Sequence, residues 1–166
     1  LYSEAIRYSE KAVQIDNTLY SAYFTLADSF NQIKDYSKAL TAINRVVELR
    51  PSVAGFHVAK GIVLINLERR NEAVTSMNKA LQLDTKNHEA YYWLGYIYRR
   101  NKDYSKAETN LLKALDLEDK NPTYWAELGD LYFNEKNWKG AIECYQIAAA
   151  YKPDWATVYN ALGNAY

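Results

Sequence analysis

An all-α solenoid of stacked helix pairs is the architecture this sequence predicts, and three observations predict it. Alanines stand at Ala5, Ala39, Ala73, Ala107 and Ala141, each one 34-residue period after the last. Two further small-residue columns keep the same period without an insertion: Ala12, Val46, Ala80, Ala114, Ala148, and Ala27, Gly61, Gly95, Gly129, Gly163. Between the columns the apolar spacing is helical, and no alternating strand pattern appears. Self-similarity of this kind means one supersecondary unit repeated, here a helix-turn-helix unit.

Each element follows from that register. Residues 1–19 read as the second helix of a preceding partial unit. Complete units follow at 20–53, 54–87, 88–121 and 122–155, and 156–166 reads as the first helix of a further partial unit, all in one solenoid domain. Within 88–121, Tyr91, Leu94, Gly95 and Tyr98 fall at i, i+3, i+4 and i+7, one face of a first helix. Asn101 and Lys102 form the turn, and Asp103-Tyr104-Ser105 offers capping side chains to a second helix. That helix buries Tyr104, Ala107, Leu111, Ala114 and Leu115. Small residues at Gly95 and Ala107 let the two helices approach closely, which explains why glycine, worth about 1 kcal/mol less than alanine in a helix, recurs at one spacing.

Trp125, Leu128, Gly129, Tyr132, Ala141, Tyr145 and Pro153 reproduce the pattern W-x2-L-G-x2-Y, A-x3-F, P, and here the chain resembles the tetratricopeptide repeat family. Unit 88–121 repeats it with Tyr91, Leu94, Gly95, Tyr98, Ala107 and Leu111, with Asp119 in place of the proline. Unit 20–53 keeps Tyr23, Leu26, Ala27, Phe30, Ala39, Ile43 and Pro51. In 54–87, His57, Lys60 and Leu64 depart from the pattern while Gly61, Ala73 and Ala80 hold the register. The resemblance covers the whole chain. It implies a right-handed superhelix with a concave groove lined by the first helices.

Composition narrows the function. Twenty Lys and Arg balance twenty Asp and Glu, so no basic field gathers phosphates, and nucleic acid is not expected as a partner. A single cysteine, Cys144, excludes an internal disulfide and is read as a packed, unreactive thiol. No apolar run reaches the roughly 20 residues of a membrane span, so no membrane insertion is expected; the compartment stays unassigned, with the cytoplasm as the default for a soluble chain. His57 and His88 lie in no metal-ligand or nucleophile pattern, His57 taking the place of Tyr23, Tyr91, Trp125 and Tyr159 as a packing residue. Glu127 and Asp130 are read as solvated charge. No catalytic residue, metal site or cofactor is expected, and the chain is not expected to be an enzyme.

A second face of each first helix remains after the seam is assigned. One position past the aromatic column stand Phe24, Val58, Tyr92, Ala126 and Asn160; four further on, Asp28, Ile62, Tyr96, Asp130 and Asn164; three beyond those, Asn31, Ile65, Arg99 and Phe133. By resemblance this face lines the groove, and an apolar, aromatic surface not used in packing marks a binding site. The same aromatics can instead serve contacts between repeats. The charges with which some family members clamp acidic chaperone tails are missing in every register; starting in 88–121 gives Tyr92, Tyr96, Glu127, Thr157 and Ala161. The expected partner is a protein or peptide segment with apolar anchors over Val58, Ile62, Tyr92 and Tyr96. Arg99 is expected to favour an acidic ligand residue, and Glu127 and Asp130 a basic one. Two other readings stand beside it: a substrate-docking arm of an enzyme such as a glycosyltransferase, or a self-assembly scaffold. Tyr159, Leu162 and Tyr166 form an apolar face without a partner helix, so the chain is expected to belong to a longer array or to stack end to end with copies of itself.

Overall fold

The structure, a computed structural model, describes residues 2–166; Leu1, which opens the 1–19 segment, lies outside the described residues. Among the described residues there are ten helices and no strand: α1 (Tyr2–Ile15), α2 (Tyr20–Gln32), α3 (Tyr36–Leu49), α4 (Ala54–Asn66), α5 (Arg70–Leu83), α6 (His88–Arg100), α7 (Tyr104–Leu117), α8 (Pro122–Asn134), α9 (Trp138–Tyr151) and α10 (Ala156–Ala165). The fold is all-α, as the sequence predicts. Helices α2, α4, α6, α8 and α10 begin one sequence period apart, and so do α3, α5, α7 and α9. The chain divides between Thr85 and Lys86 into two compact units. Unit 1 carries α1 to α5 and unit 2 carries α6 to α10.

One turn device closes every complete pair. Lys34, Glu68, Lys102 and Lys136 all take positive φ, between 59° and 64°. The following N–H then reaches five residues back, from Asp35 to Phe30, Arg69 to Leu64, Asp103 to Tyr98 and Asn137 to Tyr132, at 2.8 to 2.9 Å. This is the Schellman geometry, which satisfies carbonyls the helix end would otherwise orphan. That same following residue caps the second helix: Asp35, Asp103 and Asn137 accept from the backbone N–H of Lys38, Lys106 and Gly140. At α5 the position is Arg69, which makes no cap bond and instead donates twice to Glu72, at 2.6 and 2.7 Å.

The seam packs as the small-residue columns require. In unit 1, Leu26, Ala27 and Phe30 of α2 meet Ala39, Ile43 and Val46 of α3 and Val63 of α4. In unit 2, Leu111, Ala114 and Leu115 of α7 pack with Tyr124, Leu128 and Leu131 of α8, and Tyr145, Ala148 and Val158 form the next layer. Each fully buried Leu, Ile or Val contributes about 1.5–3 kcal/mol. A Cβ added at Gly95 would stand 3.3 Å from the Ala107 carbonyl oxygen and 2.6 Å from the Leu111 side chain; the close approach inferred from that pair is present. His57 is buried, and its Nε2–H donates to the Pro51 carbonyl at 2.8 Å. Trp125 Nε1–H does the same to Asp119 at 2.6 Å. Both polar rings tie down the loop six residues before them, which gives His57 the packing role expected of its column.

Candidate functional site

The second face of the first helices opens, in each unit, into a notch. In unit 1 a cavity of about 110 Å³ lies between α2 and α4, with Phe24, Asp28 and Asn31 on one side, Ala59 and Ile62 on the other, and Ile43 of α3 as its floor. In unit 2 a cavity of about 200 Å³ is lined by Asp130 and Phe133 of α8, Ala161 and Asn164 of α10, and Tyr145 of α9. These are one site occurring twice. A step of three periods carries Asp28 to Asp130, Asn31 to Phe133, Ile43 to Tyr145, Ala59 to Ala161 and Ile62 to Asn164. The geometry follows from the register: two successive first helices form the walls and the intervening second helix the base.

Unit 2 surrounds its notch with charge. Arg99 Nε donates to Glu127 Oε1 at 2.6 Å, and Arg99 Nη2 lies 3.5 Å from Asp130 Oδ2. The Arg99 and Glu127 side chains retain only 12% and 8% exposure, whereas Asp130 keeps 45%. Tyr145 donates its hydroxyl to Asp130 Oδ1 at 2.8 Å. Burial raises the Glu127 carboxyl above the ordinary glutamate value, even against the Arg99 guanidinium that opposes it. Burial works against the Arg99 charge too, but the bond and charge of Glu127 outweigh it and hold the guanidinium protonated. Burial and then the Asp130 carboxylate push the Tyr145 phenol up, so it remains the donor. Burial also lifts the Cys144 thiol to about 12, which agrees with an inert, packed cysteine.

Several expected site residues lie where the second face was drawn. Phe24 is 38% exposed, Asp28, Asn160 and Asn164 are exposed, and Asn31, Ile62, Ile65, Tyr92, Tyr96, Arg99, Asp130 and Phe133 are partly covered. Asn160 does not line the notch that Asn164 joins. Three expectations are corrected. Val58 is 2% exposed and cannot anchor a ligand. Its column packs successive first helices: Phe24 meets Phe56 of α4 at 5.3 Å between ring centroids, and Tyr92 stacks on Tyr124 of α8 at 4.8 Å. A short branched side chain does not rise above that layer. Arg99, expected to meet an acidic ligand residue, is already paired with two carboxylates, and Glu127, expected to be solvated, is buried among them.

Further side chains stand around these residues. Trp93 sits edge-on to both Tyr92 and Tyr96, at 5.0 and 5.6 Å, and Trp138 packs edge-on to Phe133 at 5.1 Å. His88 Nδ1 is hydrogen-bonded to the Tyr124 hydroxyl at 2.8 Å. Arg100 lies over the Tyr96 ring. In unit 1, Asn66 Nδ2 donates to Asn31 Oδ1 at 2.8 Å. The sequence does carry a signal for the ion cluster: among these columns, Arg99 is the one basic residue, and acids stand at Glu127 and Asp130 on the next first helix. Among the described residues no group of three or more His, Cys, Asp or Glu could hold a metal ion, and no helix is long and apolar enough to cross a membrane.

Known proteins match this arrangement. The family described as "TPR repeat" matches residues 129–166, "Tetratricopeptide repeat" matches 77–109, and "Anaphase-promoting complex, cyclosome, subunit 3" matches 1–80. No curated protein matches in sequence. Among solved structures, the MamA protein is 26% identical, with 89% of this chain and 80% of that one covered at a TM-score of 0.74. A thermophilic TPR protein of Thermus thermophilus is 20% identical, covering 99% and 90% at a TM-score of 0.85. YrrB, described as a TPR protein with an unusual peptide-binding site, is 18% identical, covering 96% and 82% at a TM-score of 0.75. With its repeating register, its helix pairs and these matches, the chain belongs to the tetratricopeptide repeat family.

Proposed function

We propose that the chain is a protein-interaction scaffold that holds a peptide or protein segment against the second face of its first helices. The observation that carries this reading is the recurrence of one open notch in both units, walled by side chains that the helix seam leaves over. Phe24, Tyr96 and Phe133 offer partly exposed rings on that face, and rings at an interface centre give contact area at little entropic cost. The peptide-binding site described for YrrB supports the same use of the fold. The test is selection of random peptides by display against the whole chain, then affinity measurement with Tyr96→Ala, Phe133→Ala and an outer-face control, Lys79→Ala. Either ring truncation is expected to cost ~2 kcal/mol, about thirtyfold, and the control nothing. Selected peptides that bind all three variants like wild type would overturn the reading.

End-to-end association is a second reading, favoured by α10. Tyr159 and Tyr166 are 51% and 81% exposed, and a Cβ at Gly163 would meet nothing within 4 Å where Gly61, Gly95 and Gly129 each meet a second helix. A following helix of a longer array would cover that face, and so would another copy. Sedimentation equilibrium decides it: Tyr159→Lys should turn an associating chain into a monomer, and a chain already monomeric at high concentration removes the idea.

A further inference from the structure

We infer that the unit 2 notch is a pocket for a basic side chain, with lysine preferred over arginine, presented by the bound segment. The inference rests on the proposed groove function and names the chemistry of one of its subsites. Its lining holds one carboxylate, Asp130, and no cation: the other members are Phe133, Tyr145, Ala161 and Asn164. The nearest guanidinium, Arg99, is matched against two carboxylates, Glu127 and Asp130. Arg99 is thus outnumbered by the two carboxylates it touches, Arg100 acts on the cluster only through its charge on Glu127, and the exposed edge is Asp130. Phe133 and Ala161 wall the path for an alkyl stem, while the Asn164 amide supplies a further acceptor. About 200 Å³ holds roughly six or seven waters at about 30 Å³ each, a volume in keeping with a four-carbon chain and its ammonium.

The choice of lysine follows from the lone pairs. Asp130 Oδ1 already accepts from Tyr145, and Oδ2 already faces Arg99. A guanidinium fork needs both oxygens of a carboxylate free in one plane, whereas an ammonium is a point charge that takes whichever acceptor direction remains. Those same two partners hold the carboxylate in place before a ligand arrives, so little ordering cost falls on binding. The unit 1 notch is the internal contrast. Asp28 stands at the equivalent position, but the floor there is Ile43, which offers no hydroxyl, and Asp28 is exposed, with Gln32 of its own helix reaching it at 3.4 Å.

The experiment uses the isotope-labelled whole chain and three probes of equal stem length: n-butylammonium, n-butanol and butanoate. Amide chemical shifts are followed at constant ionic strength. Butylammonium should move the amides of Phe133, Ala161 and Asn164 and saturate at concentrations about five- to tenfold below butanol. Butanoate should not bind there. Asp130→Asn, which keeps an acceptor for Tyr145, should remove the ammonium preference, and Asp28→Asn should leave it unchanged. If Asp130→Asn disturbs folding, Ala161→Leu fills the notch without touching the carboxylate and should abolish the shifts. Equal response to butylammonium and butanol, or an ammonium preference that survives Asp130→Asn or Ala161→Leu, overturns the pocket. Display peptides that still depend on Tyr96 and Phe133 would then leave the groove function standing, whereas a working ammonium pocket with peptides indifferent to those rings would remove the groove function instead.

Discussion

In unit 1 the first helices carry Asn31, Ala59 and Ile62 where, two periods later, unit 2 carries Arg99, Glu127 and Asp130. The backbone register is shared, and the chemistry is not. Unit 1 joins its walls by a single amide pair, Asn66 to Asn31, and its aspartate takes only a long bond from Gln32 of its own helix. Unit 2 joins α6 to α8 through a guanidinium held by two carboxylates and links α8 to α9 through Tyr145. The repeat therefore fixes where a groove side chain stands, and substitutions in the columns decide whether it is held still enough to recognise anything.

Removing one member of the cluster should produce the largest difference between the units. Glu127→Ala leaves Arg99 largely buried with only a long contact to Asp130, and breaking such a pair costs about 3–5 kcal/mol. Asn31→Ala, at the position equivalent to Arg99, removes an exposed amide bond worth about 1 kcal/mol or less. Urea unfolding of the two variants measures the contrast. Replacing both charges together, Arg99→Met with Glu127→Leu, should recover most of the loss, because the damage lies in the stranded charge. Equal small effects from both single changes would mean that the cluster contributes no more than surface charge.

The seam glycines sharpen the same contrast at a smaller scale. A Cβ at Gly129 would come within 2.6 Å of the Tyr145 ring, whose hydroxyl is tied to Asp130; a Cβ at Gly61 would come within 2.4 Å of the terminal methyl of Met77. Met can swing its end aside, and a tethered ring cannot. Gly129→Ala should cost about 2 kcal/mol, and it should disturb the Asp130 notch as well. Gly61→Ala should be close to neutral, the strain being offset by about 1 kcal/mol of helix propensity. A Gly129→Ala chain as stable as wild type would show that Tyr145 is not anchored.

Most of the fold is legible in the sequence because one physical requirement repeats. Small residues at the seam, such as Gly95 opposite Ala107, can be read without knowing any distance, and the helix starts follow from their period. The second face is legible only as a direction. Val58 and Phe24 share a column, yet the longer ring reaches the surface and the shorter branched chain does not, a difference set by what packs above them. Arg99 and Glu127 escape a reading that takes each on its own helix, because they pair across two first helices at a separation of 28 in sequence, an offset that the repeat columns do not display. Asp130 follows from its place in a column, but its brace, Tyr145, belongs by spacing to the seam.

The caps of the second helices differ between the units by a single residue, and the expected effect is correspondingly modest. Arg69 occupies the position where Asp35, Asp103 and Asn137 accept a backbone N–H. Arg69→Asp should stabilise α5 by about 1 kcal/mol by supplying that acceptor, less the small contribution of its exposed pair with Glu72. Asp103→Ala should lose a similar amount in unit 2. Thermal unfolding reads both, and an Arg69→Asp chain that melts lower than wild type would show that the Glu72 pair, though exposed, matters more than the cap.

The turns should behave alike in both units, which makes them the test of how far the shared register extends. Lys34 and Lys102 hold φ of 64° and 62°, a region where a side chain costs about 1 kcal/mol relative to glycine. Glycine relieves that cost in the folded chain but enlarges the freedom lost on folding by about 0.5–1 kcal/mol. The two terms nearly cancel, so Lys34→Gly and Lys102→Gly should each raise stability by only a few tenths of a kcal/mol, a shift below about 2 °C in Tm for a chain of this length. Asparagine, which tolerates positive φ and keeps a less flexible unfolded backbone, should do slightly better at both positions. The magnitude matters less than the match: the two turns use the same hydrogen bonds, Asp35 to Phe30 and Asp103 to Tyr98, so a change that stabilises one and destabilises the other would show that neighbouring side chains, rather than the repeated backbone, govern this part of the structure.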